Sequence, residues 1–136
     1  MNTNKDTLMA FYKKCLTVNA ETNPNEELGK ILADNFVSQG SVDSKTKAQL
    51  IGQIGFFWKL VPDLKWEPQE IISEGNKFVV RSIASGTPQG DFMGVPTNGK
   101  KSFKIMTIDI HTIEAGKVLE VHHLEDWGTA IQQLKN

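Results

Sequence analysis

The spacing of apolar residues changes once along this chain, from steps of three and four residues to alternation. Leu8, Phe11, Tyr12, Cys15 and Leu16 follow the first rule and predict an amphipathic helix over residues 6–18. Asn23, Pro24, Glu26 and Glu27 carry the marks of a helix start, and Leu28, Ile31 and Leu32 give that second, short helix its apolar face. Residues 35–38 read as a short strand. Ser44 can then cap a third helix, which carries Leu50, Ile51, Ile54, Phe57 and Trp58 and stops before Pro62. From Leu64 onward the period is two, predicting strands over residues 65–73, 77–87, 101–113 and 117–125, with turns at Glu74-Gly75-Asn76 and Ala115-Gly116. Residues 127–134 read as a closing helix with Asp126 as its candidate cap. Helices first and strands afterwards is the α+β order: N-terminal helices packed on a curved, mainly antiparallel sheet.

Residues 86–100 join two of those strands through a run holding Gly86, Gly90, Gly94, Gly99, Pro88 and Pro96. Such connections usually take about 4 to 6 residues, so chain reversal alone does not account for it. Glycines admit left-handed backbone and prolines fix φ, which lets a long loop be ordered without a core of its own. An ordered loop at a sheet end is expected to form the rim of a binding cavity.

A two-residue turn at Ala115-Gly116 pairs Glu114 with Lys117 and, counted outward, sets Asp109 opposite His122. One face then carries Phe103, Ile105, Thr107, Asp109, His111, Glu120, His122, Leu124 and Asp126, and the other Met106, Ile108, Ile110, Val121 and His123. A three-residue loop would move the pairing by one. Ionisable groups on an apolar concave face have their pKa moved by desolvation and by neighbouring charges, which suits them to acid/base work near neutral pH. Asp126, Asp109, His111 and His122 are the candidates on this count. The competing readings are a helix cap for Asp126 and a cross-strand ion pair for Asp109 and His122. Arg81, alone in an apolar strand, is expected to pair with an inward carboxylate or to hold a substrate oxygen. Phe57, Trp58, Phe92 and Phe103 suit either the core or the wall of a pocket for a flat apolar ligand.

Length and charge narrow the classes of function. At 136 residues the chain fits one domain, 1–136, large enough to fold without staples. Its net charge of −1, with no basic run interleaved with aromatics, argues against nucleic acid and anionic membrane as partners and leaves a small-molecule ligand or another protein. Cys15 is the single cysteine, so no internal disulfide or cysteine zinc site is available. His122 and His123 point to opposite faces of a strand and cannot share a metal; no structural metal is expected. The apolar patch at residues 8–12 is too short for a signal segment or a membrane span, and a cytoplasmic protein is the simplest expectation. No serine elbow, phosphate loop or dinucleotide fingerprint is present in the sequence.

Five pieces in order carry a family resemblance: Phe57-Trp58-Lys59-Leu60-Val61-Pro62-Asp63-Leu64; the turn and strand from Glu74 to Arg81; Gly90-x-Phe92-x-Gly94-x-Pro96-x-x-Gly99-Lys100; Gly116-Lys117-Val118; and residues 120–133. Together they resemble the SnoaL-like polyketide cyclase family, of the nuclear transport factor 2-like superfamily. The resemblance implies an open cone around an internal cavity, homodimers through the outer sheet face, and cofactor-free aldol ring closure by an aspartate near the end of the last strand. Asp126 matches that aspartate. His122 stands where relatives often carry tryptophan, Gln39 where a histidine or asparagine is usual, and Val121 replaces a common histidine. The Arg-x-Asp pair of related epoxide hydrolases is missing, since Ile83 follows Arg81 by two. The expectation is a small hydrophobic carbonyl compound in the cavity, turned over by aldol cyclisation or a related isomerisation. The alternative is a non-catalytic small-molecule-binding or dimeric accessory protein.

Overall fold

Thr3 opens the first helix, its hydroxyl accepting from the Asp6 amide while the Asp6 carboxylate accepts from the Thr3 N–H. In the computed structural model, which describes residues 3–135, this helix α1 (Asn4–Ala10) runs on into one π turn, Phe11–Cys15. The Leu16 amide bonds back to the Phe11 carbonyl at 3.0 Å, and the widened turn sets Phe11, Tyr12, Cys15 and Leu16 all inward. Asn23 caps α2 (Pro24–Ile31) by accepting from the amides of Asn25 and Glu26. The chain leaves α2 directly into β1 (Leu32–Gln39), longer than the short strand expected. Ser44 does not cap the next helix: it opens β2 (Ser44–Thr46), antiparallel to β1. Thr46 and Gln49 form the capping box of α3 (Lys47–Leu60) instead.

The remaining strands are β3 (Lys65–Glu74), β4 (Lys77–Gly86), β5 (Asp91–Phe92), β6 (Val95–Pro96), β7 (Phe103–Glu114) and β8 (Lys117–Glu125), followed by α4 (Trp127–Lys135). The large sheet has the order β2-β1-β8-β7-β4-β3. Its β3-β4-β7-β8 part is the expected antiparallel meander, and β1 adds to β8 in parallel. Residues between β4 and β7 fold as the small β5–β6 hairpin, whose turn places Met93 (φ 53) and Gly94 (φ 86) in the left-handed region. Helices cover the concave face, where Leu8, Tyr12, Phe36, Val80, Phe103 and Ile113 are fully buried. Removing a side chain of this size from water stabilises the fold by about 1.5–3 kcal/mol each. The result is the α+β arrangement expected from the order of elements, in the cone shape that the family resemblance implies.

One detail of the last hairpin corrects the expected register. Glu114 does pair with Lys117, but Ile113 lies opposite Val118 and Thr112 opposite Glu120, so Leu119 is an extra residue on β8. This bulge moves every later residue to the other face. Asp109 is therefore paired with His123, while His122 is paired with Ile110 on the outer side.

Candidate functional site

Between the concave face and the helices lies a cavity of about 100 Å³. Phe11 and Leu16 of the first helical segment, Ile54 and Phe57 of α3, and Leu64 supply an apolar wall. The sheet supplies Ser38 of β1, Asp109 of β7, and His123 and Glu125 of β8. Met93 of the β5–β6 hairpin and Gln53 of α3 also line it, and Met93 is 43% exposed, which puts it at the rim.

Asp109 is the deepest charged group, only 3% exposed. The Tyr12 hydroxyl donates to its Oδ2 at 2.6 Å and lies 2.7 Å from Nε2 of His111. Burial pushes the Asp109 carboxyl up to about 7; the Tyr12 bond opposes that rise, Glu125 adds to it, and His123 opposes it. Burial holds His111 down to about 3, so it is neutral at physiological pH. Burial, then the neighbouring Asp109, hold the Tyr12 phenol well above its usual range.

His123 is the second titrating group of the hollow. Its Nδ1 lies 2.7 Å from Oε2 of Glu125, and that hydrogen bond raises its pKa against the opposing effect of burial, with Glu125 and Asp109 charges adding to the rise. The other oxygen of Glu125 accepts from the Trp127 indole at 3.2 Å. Glu125 is thus held between the two rings and fixes His123 through Nδ1. A carboxyl titrating near neutrality thus faces an imidazole biased toward its cationic form, a combination able to take one proton and donate another. Trp66 donates to the Thr107 hydroxyl at 3.0 Å beside this pair, closing the floor. Among the described residues no three histidine, cysteine, aspartate or glutamate side chains gather as metal ligands.

A sequence profile of the family described as SnoaL-like polyketide cyclase matches residues 6–134. The chain belongs to this family. Solved SnoaL-like structures share its shape: a SnoaL-like protein from Jannaschia sp. CCS1 superposes with a TM-score of 0.83 at 19% identity, over 96% of this chain and 90% of the other. IdmH from Streptomyces antibioticus gives 0.83 at 22%, over 99% and 100%. A SnoaL-like polyketide cyclase from Agrobacterium tumefaciens gives 0.77 at 21%, over 98% and 99%. At such identities the likeness is one of fold. No functionally curated protein matches the chain.

Within this SnoaL-like cone, the residues singled out from sequence fall into three groups. Asp109, His111 and Phe57 lie where a cavity group should, the first and last on its surface and His111 behind Tyr12. Phe92 and Phe103 stack at 5.3 Å between ring centres and pack on Trp127, so they support the wall without forming it. Trp58 donates to the Cys15 carbonyl at 2.7 Å and ties α3 to the π turn.

The third group lies outside. His122 is on the outer face, 4.0 Å from Glu120. Gln39 donates to Glu120 at 2.9 Å on that same face. Arg81 pairs with Glu70 at 3.1 Å, also outside, because β4 turns Val80 and Ser82 inward. Asp126 is exposed and accepts from the Thr129 hydroxyl at 2.7 Å and the Thr129 amide at 3.3 Å, as a cap of α4. The bulge at Leu119 explains two of these displacements, since it exchanges His122 for His123 and Asp126 for Glu125. Tyr12, Ser38, His123 and Glu125 were missed from sequence; the signal available was Val118 and Val121, apolar three apart in a strand of period two.

Proposed function

We propose that this SnoaL-like protein enolises a small carbonyl compound, with Asp109 as the base and His123 as the donor to the developing oxygen, in an aldol cyclisation or a related isomerisation. The carrying observation is that Asp109 and His123 sit directly opposite on β7 and β8 and both line the cavity. The base breaks a C–H bond beside the carbonyl and gains the proton; the electron pair moves to the carbonyl oxygen, which the His123 N–H stabilises. The hollow as it stands is smaller than ordinary drug-sized pockets of about 300–1,000 Å³, so the reacting end enters and the rest of the molecule stays at the rim by Met93 and Gln53.

Exchange of α-protons tests this directly. A panel of small β-keto esters and aryl methyl ketones in D₂O should lose α-proton NMR signal faster with the wild type than without it, and Asp109→Asn should remove the acceleration. A non-catalytic binding role is the second reading, favoured by the mostly apolar wall. It predicts ligand-induced thermal shifts that survive Asp109→Asn, and no exchange with either protein. The exposed Met106, Ile108, Ile110 and Leu124 on the outer face support pairing with a second copy of the chain.

A further inference from the structure

The Tyr12 hydroxyl has one proton and two partners. Oδ2 of Asp109 lies on one side at 2.6 Å and Nε2 of His111 on the other at 2.7 Å. When Asp109 is ionised, the hydroxyl must donate to the carboxylate, because its lone pairs facing two negative oxygens would be repelled. Nε2 of His111 must then carry hydrogen and donate to the tyrosine oxygen. That leaves Nδ1 of His111 as a bare lone pair.

Nδ1 is buried and has no hydrogen-bond partner among the described residues. In the sheet His111 is flanked by Phe78 and Val121, and the Phe11 ring packs edge-on at 5.1 Å. Reversing the relay would need a proton on Nδ1, donated to nothing and delivered through apolar surroundings. Burial also keeps His111 from carrying both protons. The direction of the relay is therefore fixed in both charge states of Asp109: His111 donates to Tyr12, and Tyr12 donates to Oδ2. Oδ1, by contrast, accepts no hydrogen bond from the described residues, and Asp109 itself lines the cavity.

We propose that Tyr12 and His111 form a one-way hydrogen-bond relay that keeps Oδ2 of Asp109 occupied, so that Oδ1 alone takes and returns the substrate's proton. This rests on the reading of Asp109 as the base. In the step, the substrate C–H bond breaks, the O–H bond forms at Oδ1, and the electron pair goes to the carbonyl oxygen facing His123; the return step reverses each. Tyr12 and His111 are positioning residues, since neither lines the cavity wall. The charged or titrating groups facing Asp109 are Tyr12 from the π turn and His123 and Glu125 from β8.

Nitrogen-15 NMR of the labelled wild type reads the relay without any substrate. His111 should show a pyridine-type Nδ1 and a pyrrole-type Nε2 on both sides of the Asp109 midpoint, the midpoint being followed by carbon-13 carboxyl shifts. Tyr12→Phe should raise that midpoint by roughly one pH unit. His111→Gln, whose amide can donate to Tyr12 in place of Nε2, should leave it within a few tenths. A histidine that exchanges tautomers as Asp109 titrates overturns the proposal, as does a midpoint unmoved by Tyr12→Phe; should either variant fail to fold, the wild-type tautomer decides. The catalytic reading fails separately: fixed tautomers with no α-proton exchange in any ketone remove the reaction and leave the relay, whereas exchange with a switching histidine does the opposite.

Discussion

Asp109 of β7 lies directly across the sheet from His123 of β8, and the single extra residue Leu119 is what brings them together. Without that bulge His122 would occupy the place. The two histidines, adjacent in sequence, are consequently a matched pair for experiment. His123→Asn is expected to lower enolisation about 10²- to 10⁴-fold, the usual contribution of a positioned acid or base. His122→Asn, on the outer face, is expected to leave the rate within a factor of two or so. Deuterium exchange into a ketone that the wild type turns over compares the two, and equal losses in both variants would remove the assignment of His123.

Asp109 gives a stability signature whose sign can be worked out. Its carboxyl rises from the ordinary 3.8 to about 7 on folding, so between those values the native state binds more protons than the unfolded chain. Stability contributed by this group is full at low pH and is lost as pH rises through that window. Asp109→Asn keeps the shape and the acceptor for Tyr12 while removing the buried charge. The variant should therefore melt above the wild type at about pH 8, and the two curves should converge only below the unfolded value of 3.8. His111 acts with the opposite sign: its pKa falls from 6.5 to about 3, so its contribution is full above 6.5 and is lost as pH drops toward 3. Melting curves across this range check both, and a variant less stable than wild type at the higher pH would contradict the burial argument.

The elements were largely legible in the sequence because period and caps are local. Leu50, Ile54 and Phe57 mark α3, and the alternation from Phe103 to Ile113 marks β7, in the sequence alone. What was not legible was which face each residue of β8 takes, because a one-residue bulge inverts the alternation and its energy lies in the packing of Val118 and Val121 against the helices. The parallel pairing of β1 with β8 was hidden for a similar reason: it is a contact distant in sequence. Tyr12 read as one more member of an apolar stripe, and only its neighbours 97 and 99 residues on give its hydroxyl a purpose.

Gly86 tests how tightly the cone closes beneath the long connection. It ends β4 opposite Phe103, and a methyl group there would come within 2.3 Å of Val61 Cγ1 and 3.5 Å of the Phe103 ring. Val61 is fully buried after α3 and cannot swing into solvent. Gly86→Ala is therefore expected to cost about 1–3 kcal/mol through overpacking. Urea unfolding measures it as a lower midpoint with the slope unchanged. A neutral effect would mean that α3 and β4 can separate freely.

The outer face presents two apolar rows across the strands, Ile72, Val79 and Ile110 in one and Ile108 with Leu124 in the other. Met106, Ile108, Ile110, Leu124 and Ile72 are each at least 40% exposed, which is unusual for residues on adjoining strands unless something covers them. A two-fold axis through this face would set each row against its copy and bury area on both chains at once. Sedimentation equilibrium at micromolar concentration is expected to give a dimer, and Ile108→Glu to weaken it at least tenfold by placing carboxylates in an apolar contact. Because Ile108 points away from the cavity, the same variant should keep the Asp109 midpoint of the wild type. A wild type that sediments as a monomer at every concentration would leave those rows without a second copy to cover them.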